Sequence, residues 1–139
     1  MKRSGSLLTF VALLAAALIM SACGSGRKLQ AVTLSPAAAD AKNFSNGQVS
    51  FTATGAYNKP PSPVTLTSSD VVWCVGDSTG ACAGNINPGA ILDQKGTAQC
   101  NPFFTGTVTI LAGTSPKASP NPDGGSQLKI FGSAQLTCP

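Results

Sequence analysis

Asn46-Gly47-Gln48-Val49-Ser50-Phe51-Thr52-Ala53-Thr54-Gly55 is the stretch that decides the class of fold. Asn-Gly is a strong turn signal, and the residues after it alternate, with Val49, Phe51 and Ala53 on one face. A period of two places successive side chains on opposite sides of a pleat, so this segment predicts a half-buried strand. Working back, Ala31-Val32-Thr33-Leu34-Ser35-Pro36 alternates and stops at proline, which suits a first edge strand. Working forward, Val71-Val72-Trp73-Cys74-Val75 is a β-favouring run that carries the single tryptophan. With Val71 and Trp73 turned inward, Trp73 becomes the core anchor and Cys74 points away.

The remaining chain keeps the same character. Asn58 to Ser69 holds Pro60, Pro61 and Pro63 and reads as a long loop, with Val64-Thr65-Leu66 as its one extended piece. Gly76 to Gly89 is rich in turn residues and contains Cys82. Ala90-Ile91-Leu92 and Thr97-Ala98-Gln99-Cys100 flank the turn Asp93-Gln94-Lys95-Gly96, which predicts a hairpin. Thr107 to Gly113 alternates again, Thr114 to Ser126 reads as a second long loop, and Gln127 to Cys138 supplies a last strand, interrupted at Gly132-Ser133. About seven strands separated by turns, with no amphipathic helix after the leader, predict an all-β sandwich of Ig-like architecture.

The leader itself reads as disposable. Lys2 and Arg3 precede an apolar run from Leu7 to Met20, and small residues follow, the order of a secretory signal. The run is 14 residues long, short of the roughly 18 needed to span a bilayer. Residues 1–22 are therefore expected to be removed, residues 23–30 to form a tether, and residues 31–139 to form one domain.

Two resemblances carry the sequence further. Leu18-Ile19-Met20-Ser21-Ala22-Cys23 resembles the lipobox of bacterial lipoproteins, with Met20 where leucine is usual. That resemblance implies diacylation of the Cys23 thiol, cleavage before it, and acylation of the new amino terminus. The covalent lipid on Cys23 would be the chain's one attached group and membrane lipid its first partner, in the bacterial cell envelope. With Gly24 rather than Asp after the cysteine, the analogy points to the outer membrane in a host with two membranes. The second resemblance lies in Val32-Thr33-Leu34-Ser35-Pro36, Gly47 to Gly55, Val72-Trp73, Gly96-Thr97-Ala98 and Gly106-Thr107-Val108-Thr109-Ile110. In their order and spacing these pieces resemble bacterial Ig-like domains of group 2, from about Leu29 to the C-terminus. Three cysteines within Cys74 to Cys100 and the proline-rich insertions depart from that pattern. The family is one of surface modules, so it implies a location more than a ligand.

With Cys23 lipidated, Cys74, Cys82, Cys100 and Cys138 form an even set in an exported chain, which reads as two disulfides out of three connectivities. Strands that alternate in direction would bring all four to one pole, and side-chain parity then separates them. Cys74 is out of phase with Trp73, whereas Cys100 and Cys138 share phase with Ala98 and Leu136. Cys74–Cys82 and Cys100–Cys138 are the pairings this favours. Zinc held by four cysteines is the rival, disfavoured because no CxxC pair exists and export favours oxidation.

Composition weighs against chemistry. The chain has no histidine and no glutamate, which removes the commonest general base and half the carboxylates. After residue 22 there are seven basic residues (Arg27, Lys28, Lys42, Lys59, Lys95, Lys117, Lys129) and five Asp (Asp40, Asp70, Asp77, Asp93, Asp123), with no cluster suited to nucleic acid. The Asp residues lack calcium-loop spacing, and turn hydrogen bonding accounts for them, so no metal is expected. Ser25 to Lys28 and Ser126 to Lys129 fit SxxK spacing, but they lie on a tether and at a strand start, where the two side chains do not share a face.

The expected protein is thus a non-catalytic envelope lipoprotein that binds a protein or polysaccharide, or else a structural subunit whose strand edges pair with a partner. Candidate contact regions are the loops Asn58 to Ser69 and Thr114 to Ser126, on the tethered pole if strands alternate simply. A strand at Val64-Thr65-Leu66 would reverse that polarity. Phe103, Phe104 and Tyr57 are the aromatic candidates: alternation lets one of the two phenylalanines face the core and favours capping of the sandwich over a contact point for the other, and Tyr57 suits end packing or contact.

Overall fold

The computed structural model describes residues 26–83, 89–114 and 126–139. Among the described residues ten strands follow in chain order: β1 Leu29–Ser35, β2 Ala38–Asp40, β3 Gln48–Ser50, β4 Thr52–Tyr57, β5 Val64–Thr65, β6 Val72–Gly76, β7 Ala90–Leu92, β8 Thr97–Cys100, β9 Gly106–Thr114 and β10 Ile130–Cys138. Three ladders result, in the orders β1-β4-β5, β3-β8-β7 and β2-β10-β9-β6. The first two share one long strand. Val49, Phe51, Ala53 and Gly55 are all buried in unbroken alternation across β3 and β4, so the chain only changes neighbours at Phe51, from β8 to β1 and β5. The fold is therefore an all-β sandwich with the core between two layers.

Proline sets the first crossover. Antiparallel pairing of β1 with β4 ends at Ser35↔Thr52. Pro36 has no N–H to continue a ladder, and the chain passes to the other layer, where Gln135 donates to the Ala37 carbonyl at 3.0 Å and β2 runs parallel to β10. Two short 3-10 turns, Ala41–Asn43 and Ser45–Gly47, return it to β3, and Asn46 takes a left-handed φ of 58°. Neither β2 nor these turns has a periodic sequence signal, since three residues are too few to show one.

The core comprises Val49, Phe51, Trp73, Val75, Ala98, Val108, Ile110 and Leu136, with neighbours from every long strand. Trp73 is 5% exposed and anchors the wall formed by β6. Leu111 and Leu128 are also buried but lie outside this core. Leu111 is out of phase with Ile110 and Ala112, so it faces the outer side of its sheet, where the chain after Gly76 folds back over it: a Cβ built on Gly76 would stand 2.5 Å from Leu111 Cδ1.

Three sequence expectations change. The last strand is continuous rather than interrupted at Gly132-Ser133. Glycine is there because β1 crosses close by: a Cβ at Gly132 would lie 2.5 Å from the Val32 carbonyl oxygen. The loop from Asn58 to Ser69 contains a true strand, with Gly55↔Val64 and Thr54↔Thr65 in register. Polarity is nevertheless not reversed, because the Thr67–Asp70 turn folds the chain back a second time before β6. The tether's last residues, expected to be flexible, are held down, and β1 begins at Leu29 rather than Ala31.

Candidate functional site

At one end of the sandwich the tether is strapped to the body. Asn58 is the buckle: its Oδ1 accepts from the Lys28 N–H at 2.7 Å, its Nδ2 donates to the Gly26 carbonyl at 3.2 Å, and its N–H donates to the Lys28 carbonyl at 3.1 Å. Arg27 lies over Tyr57, 3.7 Å from the ring centroid, and its guanidinium donates to the Pro61 carbonyl. Tyr57 also packs against the core, so it joins both of the roles weighed for it. The Ser62 hydroxyl accepts from the Tyr57 N–H at 2.8 Å. Asn58 and Pro61 of the Asn58 to Ser69 candidate loop are thus engaged by the chain's own tether, and Val64 and Thr65 by β4.

The cysteines form two bridges in different places. Cys74–Cys82 has a Cα separation of 5.6 Å and lies on the outer face of the β6-containing sheet. Beside it, Ala81 bridges to Gln127, the Cys82 N–H donates to the Ser126 carbonyl at 2.8 Å, and Leu128 donates to Gly80 at 2.9 Å. This bridge therefore fixes the strip on which the base of the Thr114 to Ser126 loop is stitched. Cys100–Cys138, Cα separation 5.7 Å, fastens the end of β10 to the end of β8, with Cys138 buried in the core. The four thiols do not meet at one pole.

The end away from the tether carries a groove that the sequence reading did not assemble. It has a volume of about 400 Å³. Phe44, Phe104, Pro102 and Pro139 give it apolar walls, and Asn46, Gln99 and Asn101 line it with carboxamides. β10, nine residues long, separates it from the tether by roughly 26 Å at a strand's rise per residue. Phe44 is 42% exposed at its wall, and Phe103 stands beside it at 97% exposed. Phe104, in contrast, packs against the core, so the adjacent phenylalanines take one role each. Lys42 is a charged group at the rim, and Asp40 pairs with it at 3.0 Å. Such a surface packs against a flat apolar face while hydrogen-bonding uncharged polar groups. Phe44 and Asn46 come to it through the two 3-10 turns, which no periodicity announces.

A second groove, of about 340 Å³, opens between the Thr67 turn and the β7–β8 turn. Trp73 forms its floor, and Thr52, Thr65, Thr67, Ser68, Gln94 and Lys95 form its rim.

The aspartates serve their own turns. Asp77 accepts from the Thr79 hydroxyl and N–H, Asp70 from the Thr67 hydroxyl and N–H, and Asp93 from the Thr97 and Lys95 N–H groups. These bonds favour the ionised form and hold each carboxyl below its ordinary value. Asp40 is lowered likewise, chiefly by Lys42. Among the described residues no three of His, Cys, Asp and Glu gather as a metal would require. Cys23, the segment 1–22, and residues 115–125 of the second candidate loop lie outside the described residues. No protein-family model and no curated protein matches the chain.

Proposed function

We infer that this chain is a lipid-anchored, non-catalytic protein of the bacterial cell envelope, which presents a single Ig-like sandwich to a protein or polysaccharide partner. The lipobox-like Cys23 carries the anchor in this reading, and the groove walled by Phe44 and Phe104 carries the contact. The observation that supports it best is the opposition of the two ends: the strapped tether at one, and at the other an aromatic, carboxamide-lined groove with Phe103 fully displayed. A rigid sandwich that offers exposed aromatic side chains at the end remote from its anchor suits a display module.

Crosslinking in native membranes, followed by mass spectrometry, tests the reading. A partner crosslinked to residues around Phe44 and Phe103, and lost in a Phe44→Ala/Phe103→Asp variant that still folds, is the expected result. Capture that is unchanged in that variant would remove the groove from the account. Cys23→Ala should abolish palmitate incorporation, and unchanged labelling would refute the anchor.

One observation favours a second reading, that of an assembly subunit. Among the described residues β7 is the outer strand of its ladder and displays Ile91 at 69% exposed, and an edge strand is a template for pairing. This reading predicts a fixed partner that co-purifies with the chain and is lost on Ile91→Lys.

A further inference from the structure

Among the described residues the excess charge is gathered at the strapped end. Elsewhere the charges sit in opposite pairs: Lys42 lies 3.0 Å from Asp40, and Lys95 shares a turn with Asp93, whose carboxylate accepts from the Lys95 N–H at 2.8 Å. The tether end has Arg27, Lys28, Lys59 and Lys129, all exposed. Register places them together. Leu29 pairs with Tyr57 at the start of β1, Lys129 donates to the Thr114 carbonyl at the matching end of β9, and the Lys59 ammonium lies 3.1 Å from the position of a Cβ on Gly26. Against these four cations stand Asp70 and Asp77 on the flanks, each held within its own turn. The sequence 115–125 brings one lysine and one aspartate, which cancel.

The strap determines how far this surface stands from the anchor. Three Cα–Cα steps separate Cys23 from Gly26, the first residue that Asn58 holds. Fully extended they reach about 10 Å, and the screening length in 0.1 M salt is also about 10 Å. A tether that floated free to Leu29 would double the reach and let the domain tumble out of range. The strap prevents both, and Arg27 is fixed over the Tyr57 ring, 3.7 Å from its centroid.

We propose that the Arg27–Lys28–Lys59–Lys129 end of the sandwich is a docking surface for anionic phospholipid headgroups, which stands the domain upright on its membrane with the Phe44–Phe103 groove facing away. This rests on the reading of Cys23 as the lipid anchor. Each cation within the screening length strengthens attraction to an anionic surface about fivefold, so the four act as an orientation lock on a molecule that the lipid already retains.

The test reconstitutes the full-length gene product, purified from membranes, into vesicles of phosphatidylcholine alone or with 30% phosphatidylglycerol, and follows amine acetylation by mass spectrometry. On the anionic vesicles Lys28, Lys59 and Lys129 should acetylate about threefold or more slowly than on neutral ones, with Lys42 and Lys95 unchanged, and 0.5 M salt should erase the difference. Equal rates on both vesicles, or slowing of all five lysines alike, would overturn the proposal while leaving the anchor intact. Palmitate labelling of the same preparation reads the anchor separately, and a chain without label overturns both.

Discussion

The side chain of Gln94 closes both backbone hydrogen bonds of Trp73, accepting from its N–H at 3.2 Å and donating to its carbonyl at 3.0 Å. Among the described residues β6 is the edge of its sheet, so these two groups face away from β9 with no strand paired to them. A primary amide has the donor and acceptor of a peptide unit and substitutes for the missing strand at one residue. Two residues on, the Val75 carbonyl accepts from Ala83 at 2.8 Å. The edge beside the core anchor is thus covered twice, by a side chain and by the bridged turn.

Gln94→Ala should therefore destabilise the fold by about 1 kcal/mol, the net value of a hydrogen bond in a partly wet site. Gln94→Glu should be no better, because a carboxylate can accept from the Trp73 N–H but repels its carbonyl. Urea unfolding followed by Trp73 fluorescence measures both. If Gln94→Glu matched wild type at pH 7, the amide would not be acting as a strand substitute.

The strap is open to the same kind of test. Asn58→Ala removes two hydrogen bonds to Gly26 and Lys28 but leaves the backbone bond between residues 58 and 28. The amide of Lys28 should exchange with solvent at least tenfold faster, while amides of β9 keep their protection. Uniform acceleration across the sheets would mean that Asn58 supports the whole fold rather than the tether alone.

The two disulfides differ in the length of chain they close, 8 against 38 residues of separation. Loop entropy puts the loss at about 2.5 kcal/mol for Cys74→Ser/Cys82→Ser and about 4 kcal/mol for Cys100→Ser/Cys138→Ser. The first variant has a local signature as well, because Leu128 and Ser126 are stitched to the bridged turn and should lose exchange protection. Denaturant midpoints in the reverse order would contradict the account.

Acid should weaken the fold through its turns. Asp40, Asp70, Asp77 and Asp93 all have pKa values below the ordinary 3.8. The unfolded chain therefore takes up protons first, and the stability these carboxylates contribute is complete above about pH 5 and declines below 3.8 as pH falls through their lowered values. Urea midpoints at pH 7, 4 and 2.5 should fall in that order, and Asp77→Asn should flatten the dependence. A midpoint that stayed level between pH 7 and 2.5 would show that these turn bonds do not contribute.

Much of this architecture is legible in side-chain phase. Val49, Phe51 and Ala53 alternate in the sequence and are buried together, and Trp73 faces the core. Phase also separates Cys74 from Cys100 and Cys138, and the two cysteine pairs lie at bonding distance in those terms. What escapes is whatever depends on a distant neighbour. β2 is three residues long and exists because β10 lies alongside. The groove draws Phe44, Gln99, Asn101 and Pro139 from three separate stretches, so no short window of sequence contains it. Asn58 reads as a loop residue until residues 26–28 are placed against it.

Glycine offers the sharpest separation of close approach from backbone freedom. Gly132 sits in regular strand, and sequence alone marks it as a break; its cause is the Val32 carbonyl, 2.5 Å from where a Cβ would stand. Backbone cannot yield as a side-chain tip can, so Gly132→Ala has to push β1 away from β10, at a cost of about 2 kcal/mol or more. Gly47 is the converse: nothing lies within 4 Å of its Cβ position, but its φ is +65°. Gly47→Ala should cost only the left-handed penalty of about 1 kcal/mol. Gly47→Asn should recover part of that loss, because asparagine tolerates this conformation, whereas Gly132→Asn should be worse than Gly132→Ala because the clash grows with the side chain. Urea unfolding of the four variants decides it, and the account fails if asparagine is better than alanine at residue 132.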